Sequence, residues 1–151
     1  MRRHPSYFLV AGVALDREME RLRTLPVFAG GPLAERAPEL KVRRASRKPN
    51  RLGFAVPTQY RLSVTAYPGI GRGDVLETLL HELTHLHVGR AREAHAWHGP
   101  TFKTNLARAM AEVYGVTDVR PPHTRHGVYA AAIERQLADQ TRASTVAYLD
   151  A

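Results

Sequence analysis

The chain has 151 residues, of which 44% are apolar and 24% charged, enough for one domain with a real core and too apolar for a disordered chain. It contains no cysteine, which excludes disulfides, thiolate nucleophiles, iron–sulfur clusters and Cys-based zinc ribbons, and fits a reducing cytoplasm. Lys and Arg outnumber Asp and Glu by 22 to 14, a formal charge of +8 that favours polyanionic partners and says nothing about fold.

Arg2 and Arg3 precede an apolar run from Tyr7 to Leu15 that superficially resembles a secretory signal. No small-x-small cleavage site follows, and the run passes straight into Asp16-Arg17-Glu18-Met19-Glu20-Arg21, so it reads as the entry to an amphipathic helix. That helix is expected from about Val13 to Arg23, with Leu15, Met19 and Leu22 on one face. Nothing approaches the ~20 apolar residues that a membrane span requires, so no membrane partner is expected. From Leu25 to Pro38, the glycines and prolines Pro26, Gly30, Gly31, Pro32 and Pro38 predict a loop.

Three short extended segments come next: Leu40–Ala45, then Arg51–Val56 entered through Lys48-Pro49-Asn50, then Tyr60–Tyr67. In the last, Tyr60, Leu62, Val64 and Ala66 alternate with Arg61, Ser63, Thr65 and Tyr67. They predict a small, mostly antiparallel three-stranded sheet. The stretch from Lys41 to Arg51 is rich in base: Lys41, Arg43, Arg44, Arg47, Lys48 and Arg51. In an extended hairpin several of these would share an edge and suit phosphates, so non-specific DNA is a candidate partner of the 41–51 segment. No aromatic residue interleaves, which argues against base stacking. The same charges on an exposed edge strand would equally serve to discourage aggregation.

The loop Pro68-Gly69-Ile70-Gly71-Arg72-Gly73 leads to a helix for which Asp74 serves as N-cap and Glu77 as its capping-box partner. Val75, Leu79, Leu83 and Leu86 form its apolar stripe, widened by Leu76 and Leu80, and Gly89 ends it. Another helix starts at Gly99-Pro100, buries Phe102, Leu106, Met110 and Val113, and ends at Gly115. Pro121-Pro122 breaks the chain, and a last helix runs from about Val128 into the 140s. With no repeat and no low-complexity linker, residues 1–151 read as one α+β domain.

The chemistry lies in His81-Glu82-Leu83-Thr84-His85. Residues four apart share a helix face, so both imidazoles reach one Zn²⁺ ion, and Glu82 is placed to take a proton from water beside it. A catalytic zinc site needs a third protein ligand and an open fourth position. His87, His95 and His98 are the nearby candidates. His87 points away from the His81/His85 face and reads as a surface residue. His98 is preferred to His95 because it stands at the start of the following helix rather than within the 90–97 connection. Tyr129, Arg125 and His126 are conceivable oxyanion partners, but each reads better as packing or surface, and Trp97 and Phe102 read as packing beside the third ligand.

The heptapeptide Leu79-Leu80-His81-Glu82-Leu83-Thr84-His85, followed by His98-Gly99-Pro100-Thr101-Phe102, resembles the SprT-like zinc metalloprotease family over about residues 40–115. That family pairs an H-E-x-x-H helix with a third histidine in an H-G-x-x-aromatic motif. The resemblance implies a zincin-like fold, metal ligation by His81, His85 and His98, Glu82 as catalytic base, hydrolysis of peptide bonds and, from the best-known members, DNA-associated proteolysis. The chain departs from many bacterial relatives in lacking a Cys-rich zinc ribbon, and from Spartan in lacking its DNA-binding and recruiting tails. Two other readings compete: a repressor-cleaving peptidase of the ImmA class, whose third ligand is usually acidic, and a DNA-binding or scaffold protein with structural zinc. A structural site has no need of Glu82 between its ligands.

Overall fold

The apolar run that begins at Tyr7 turns back on itself before any helix forms. In the computed structural model, which describes residues 3–89, 99–118 and 127–150, Pro5–Phe8 is a 3₁₀ turn. Leu9–Val10 (β1) then pairs antiparallel with Val13–Ala14 (β2). The two-residue turn between them needs positive φ at both positions, which Ala11 (50°) and Gly12 (78°) supply. The hairpin delays the first helix, α1, to Leu15–Leu22, and Leu15, Met19 and Leu22 are its buried face as expected. The segment expected as loop carries a 3₁₀ turn, Pro26–Phe28, and one helical turn, Pro32–Glu35 (α2). Burial of Val27, Phe28 and Leu33 pins it to the core.

The three expected strands are Glu39–Arg44 (β3), Gly53–Val56 (β4) and Arg61–Ala66 (β5). Their order is β3-β5-β4. The pair β4/β5 is antiparallel, joined through the 3₁₀ turn Pro57–Gln59 and a left-handed Tyr60, whereas β3/β5 is parallel. The sheet is therefore mixed, not mostly antiparallel, because β5 inserts between the two strands that neighbour each other in sequence. β5 is central, flanked on both edges by strands and packed against α3 on one face, and Leu62 to Ala66 are buried without a break despite their polar alternation.

Helix α3, Arg72–Val88, lies against β4 and β5 on one side and receives Pro100–Tyr114 (α4) and Val128–Asp150 (α5) on others. Enclosure on several sides explains why its apolar residues exceed a single stripe. It starts three residues earlier than expected. Gly71 is the N-cap, and Asp74 reaches back to accept a hydrogen bond from the Gly71 amide at 3.1 Å. Gly89 and Gly115 close α3 and α4 at positive φ, as expected. In α4 the last turn buries Tyr114 rather than Val113.

Glu77 is not a capping partner of its own helix. Its buried carboxylate accepts hydrogen bonds from the amides of Gly127 and, at 2.5 Å, Tyr129, at the first turn of α5. Burial pushes its pKa up while these amides pull it down. It thus occupies the anion-accepting end of α5 from one turn before His81. Close approach at this junction depends on Gly73, whose amide donates to Glu134 at 2.6 Å and where a Cβ would sit 2.3 Å from the Ala130 carbonyl oxygen. Replacing Glu77 with Ala strands those amides and is expected to cost about 1–3 kcal/mol in urea unfolding. Glu77→Gln, which retains one acceptor oxygen, should cost less; equal stability of Glu77→Ala and wild type would contradict this role.

Candidate metal centre

His81, Glu82 and His85 occupy consecutive turns in the middle of α3 and are only 4%, 3% and 2% exposed. Burying three polar side chains among Leu79, Leu80 and Leu83 is costly unless they are partnered. The imidazoles of His81 and His85 have ring centroids 4.9 Å apart, at 72°. An ion about 2.0–2.1 Å from one nitrogen of each ring, in tetrahedral geometry, requires centroids about 5 Å apart. The ring separation is thus the one that two ligands of a single zinc ion would have. From α4, Phe102 stacks on His85 at 4.1 Å and meets His81 edge-on at 4.9 Å. It packs, as expected, but on the two imidazoles themselves, fixing their ring planes.

His98 and His95 lie outside the described residues, as do Trp97, Arg125 and His126. Among the described residues no third His, Asp or Glu joins the pair. Chain connectivity is still informative: Gly99 is the N-cap of α4, and Phe102, one turn on, touches both imidazoles. His87 points away from the pair, yet it is not a surface residue. It is half-buried, 5.2 Å from the Phe28 ring, over Gly31, where a Cβ would lie 2.5 Å from its Nδ1. Tyr129 is buried in the core, in keeping with its reading as packing.

Glu82 turns from the imidazoles toward β4. Burial pushes its pKa up to about 8, and Arg51 opposes that shift. A cation held by the neighbouring imidazoles would pull the carboxyl back toward its ionised form. The contact with β4 is made at Gly53: a Cβ there would lie 2.7 Å from both the Ser63 carbonyl oxygen and Thr78 Cγ2, and 3.3 Å from Glu82 Cγ. A lone glycine in a strand signals close approach of another element, so the sequence carries a signal for this contact. Gly53→Ala is expected to push β4 off α3, costing about 1–3 kcal/mol and reducing activity by more than the loss of folded protein explains. Chemical unfolding alongside specific activity checks this, and an unchanged midpoint with full activity would refute it.

β4 is an open edge of the sheet among the described residues, whereas the edge of β3 is covered. On β3 the Val42 amide donates to the Tyr7 hydroxyl at 2.9 Å, and the Arg44 guanidinium donates to the Tyr7 carbonyl at 2.9 Å. On β4 the Leu52 carbonyl accepts from the Thr65 amide, so by antiparallel alternation Leu52, Phe54 and Val56 pair inward with β5. The backbone groups of Gly53 and Ala55 then face outward, beside Glu82.

The expected basic hairpin does not exist. Lys41, Arg43 and Arg44 stand on β3 and Arg51 just before β4, on opposite edges of the sheet with β5 between. Lys41 lies 3.9 Å from Glu39, and Arg44 is engaged by Tyr7 and Ser6. Arg43 and Arg51 instead converge on one aromatic ring, each guanidinium carbon 5.2 Å from the centroid of Phe54. An aromatic residue is thus interleaved in space though not in sequence. A model of the SprT-like family matches residues 26–126. No curated protein and no solved structure matches the chain.

Proposed function

The chain belongs to the SprT-like family, and from that premise we propose that it is a zinc-dependent endopeptidase with a zincin-like core. The family is associated with metallopeptidase activity and is generally zinc-dependent. The observation that carries the proposal is the buried row His81-Glu82-His85, with Glu82 against Gly53 on an open strand edge.

In this reading His81, His85 and His98 hold the ion. When bound, zinc supplies Lewis acidity that acidifies water and polarises a carbonyl. An extended peptide adds to β4 through the outward amides and carbonyls of Gly53 and Ala55, which fixes its backbone beside Glu82. The Glu82 carboxylate removes a proton from the attacking water as oxygen bonds to the scissile carbonyl carbon. It then delivers that proton to the leaving nitrogen as the C–N bond breaks, returning Glu82 to its ionised form. Phe102 keeps both imidazoles oriented and excludes water from the stacked face of His85. Without a β3/β4 hairpin, the DNA-associated target implied by the family resemblance rests on the net charge of +8 and on cations spread over β3, the segment after it and the start of β4.

The test is hydrolysis of an unfolded protein and of quenched peptides by zinc-loaded protein. Cleavage should be internal, abolished by a chelator and restored by zinc. Metal-loaded, folded protein that cleaves neither substrate, or cleavage that survives chelation, would overturn the proposal.

A further inference from the structure

We propose that Arg51 and Arg43, gathered around Phe54 at the open edge of β4, form a carboxylate-recognising subsite that selects peptides bearing an acidic side chain opposite Phe54. The inference rests on the peptidase reading and names a preference that this reading leaves open.

Three features carry it. First, neither guanidinium is tied up in an ion pair. Neither Arg43 nor Arg51 enters an ion pair or hydrogen bond among the described residues, whereas Arg21, Arg23, Arg72, Arg135 and Arg142 each hold an acid. Second, the two are held in place without being neutralised. Their packing against Phe54 restrains side chains that would otherwise lose much rotamer freedom on binding. The planar guanidinium fork matches a carboxylate and is always charged.

Third, Arg51 stands where a substrate passes. Glu82 and Phe54 lie on opposite faces of β4, because Gly53 faces α3 and the strand alternates. Arg51 enters the open-edge strand β4 from just before Gly53, and its guanidinium lies over Phe54 on the face away from α3. A strand added at that edge runs about 4.7–4.9 Å from β4. Its residue opposite Phe54 projects to the same face, with Cβ atoms about 4.5–5.5 Å apart. That side chain meets two cations and no acid. On this face Glu39 belongs to β3, beyond β5, where it lies beside Lys41.

A nucleic acid is the other polyanion to consider, and the arrangement favours it less. Phosphate tracking needs a continuous ridge of charge. Here Lys41 and Arg44 make contacts within the protein, Arg43 and Arg51 converge on a single aromatic ring, and of the six cations Arg47 and Lys48 alone remain, adjacent in the segment between β3 and β4.

The experiment uses zinc-loaded full chain and neutral peptides carrying Glu, Gln or Lys at each position around one scissile bond. At one position kcat/KM should fall about tenfold from Glu to Lys, mainly through KM, and the ratio should shrink with salt. In the double variant Arg43→Glu, Arg51→Glu the preference should invert. Comparing ratios within one enzyme cancels any change that the variant makes at Glu82. Equal kcat/KM for all three peptides at every position overturns the subsite and leaves the peptidase reading standing.

A binding arm separates the two failures. Fluorescence anisotropy with zinc-loaded Glu82→Gln should show the Glu peptide bound more tightly than the Lys peptide, and the difference should vanish when the two arginines are reversed as well. That result supports the subsite even if the wild-type protein hydrolyses nothing, and equal binding overturns it. An oligo-dT strand is the competitor. If it displaces the Glu peptide and loses affinity in the same double variant, the cluster reads phosphate, and the acidic-peptide subsite is overturned.

Discussion

Replacing Glu82 with Gln is expected to leave the fold, both imidazoles and the bound zinc in place while lowering kcat by about 10²–10⁴-fold. The side chain is 3% exposed and lies against Gly53, so an isosteric amide fits where the carboxylate was. What the amide lacks is a basic oxygen, and without it water keeps its proton and the leaving nitrogen receives none. Because the same packing survives, the variant separates chemistry from structure. Circular dichroism and elemental zinc should match wild type, and KM for a peptide should change little. A zinc-loaded Glu82→Gln protein that cleaves at the wild-type rate would remove Glu82 from the mechanism.

Removing a ligand is expected to have the other large effect. His81→Ala and His85→Ala should each reduce zinc from about one ion per chain to near none, with activity lost in step. His98→Ala should do the same and His95→Ala should not; the reverse pattern would transfer the third ligand to His95. Zinc should also stabilise the fold in a pH-dependent way. In the metal-free chain, burial raises Glu82 from 4.5 to about 8. A folded-state pKa above the unfolded one means that folding favours the protonated carboxyl. That contribution is complete below about pH 4.5 and is lost as pH rises toward 8. A bound cation favours the ionised carboxylate and offsets the loss, and the imidazoles ligate only when neutral. The difference in Tm between zinc-loaded and chelated protein should therefore widen from about pH 5 to pH 8. A constant difference across that range would contradict this account of Glu82.

Much of the architecture could be read from local pattern. The buried face of α1, the ends of α3 and α4 at Gly89 and Gly115, and the start of α5 at Val128 all follow from periodicity and capping chemistry within a few turns. The placement of His81, Glu82 and His85 on one helix is of the same kind, since an i, i+4 spacing has a single geometric meaning once the helix is granted. The family follows from those motifs too, being a statement about residues in order.

What tertiary structure decided is everything that joins segments distant in sequence. Strand order depends on which edges meet, and no local signal announces that β5 separates β3 from β4 or that β3 runs parallel to it. That one fact dissolves the basic hairpin and brings Arg43 and Arg51 together at Phe54. Glu77 looked like a local cap because capping boxes are local. The amides it satisfies belong to residues 50 and 52 positions away, at the start of a helix it meets only after folding. Gly53 is a single missing side chain whose consequence, room for Glu82 and Thr78, exists only when α3 lies on the sheet. Helices and the histidine spacing they display are local properties, because hydrogen bonding and side-chain period act over one turn. Packing alone determined what faces Glu82, because close contact between elements is set by shape and volume across the whole core.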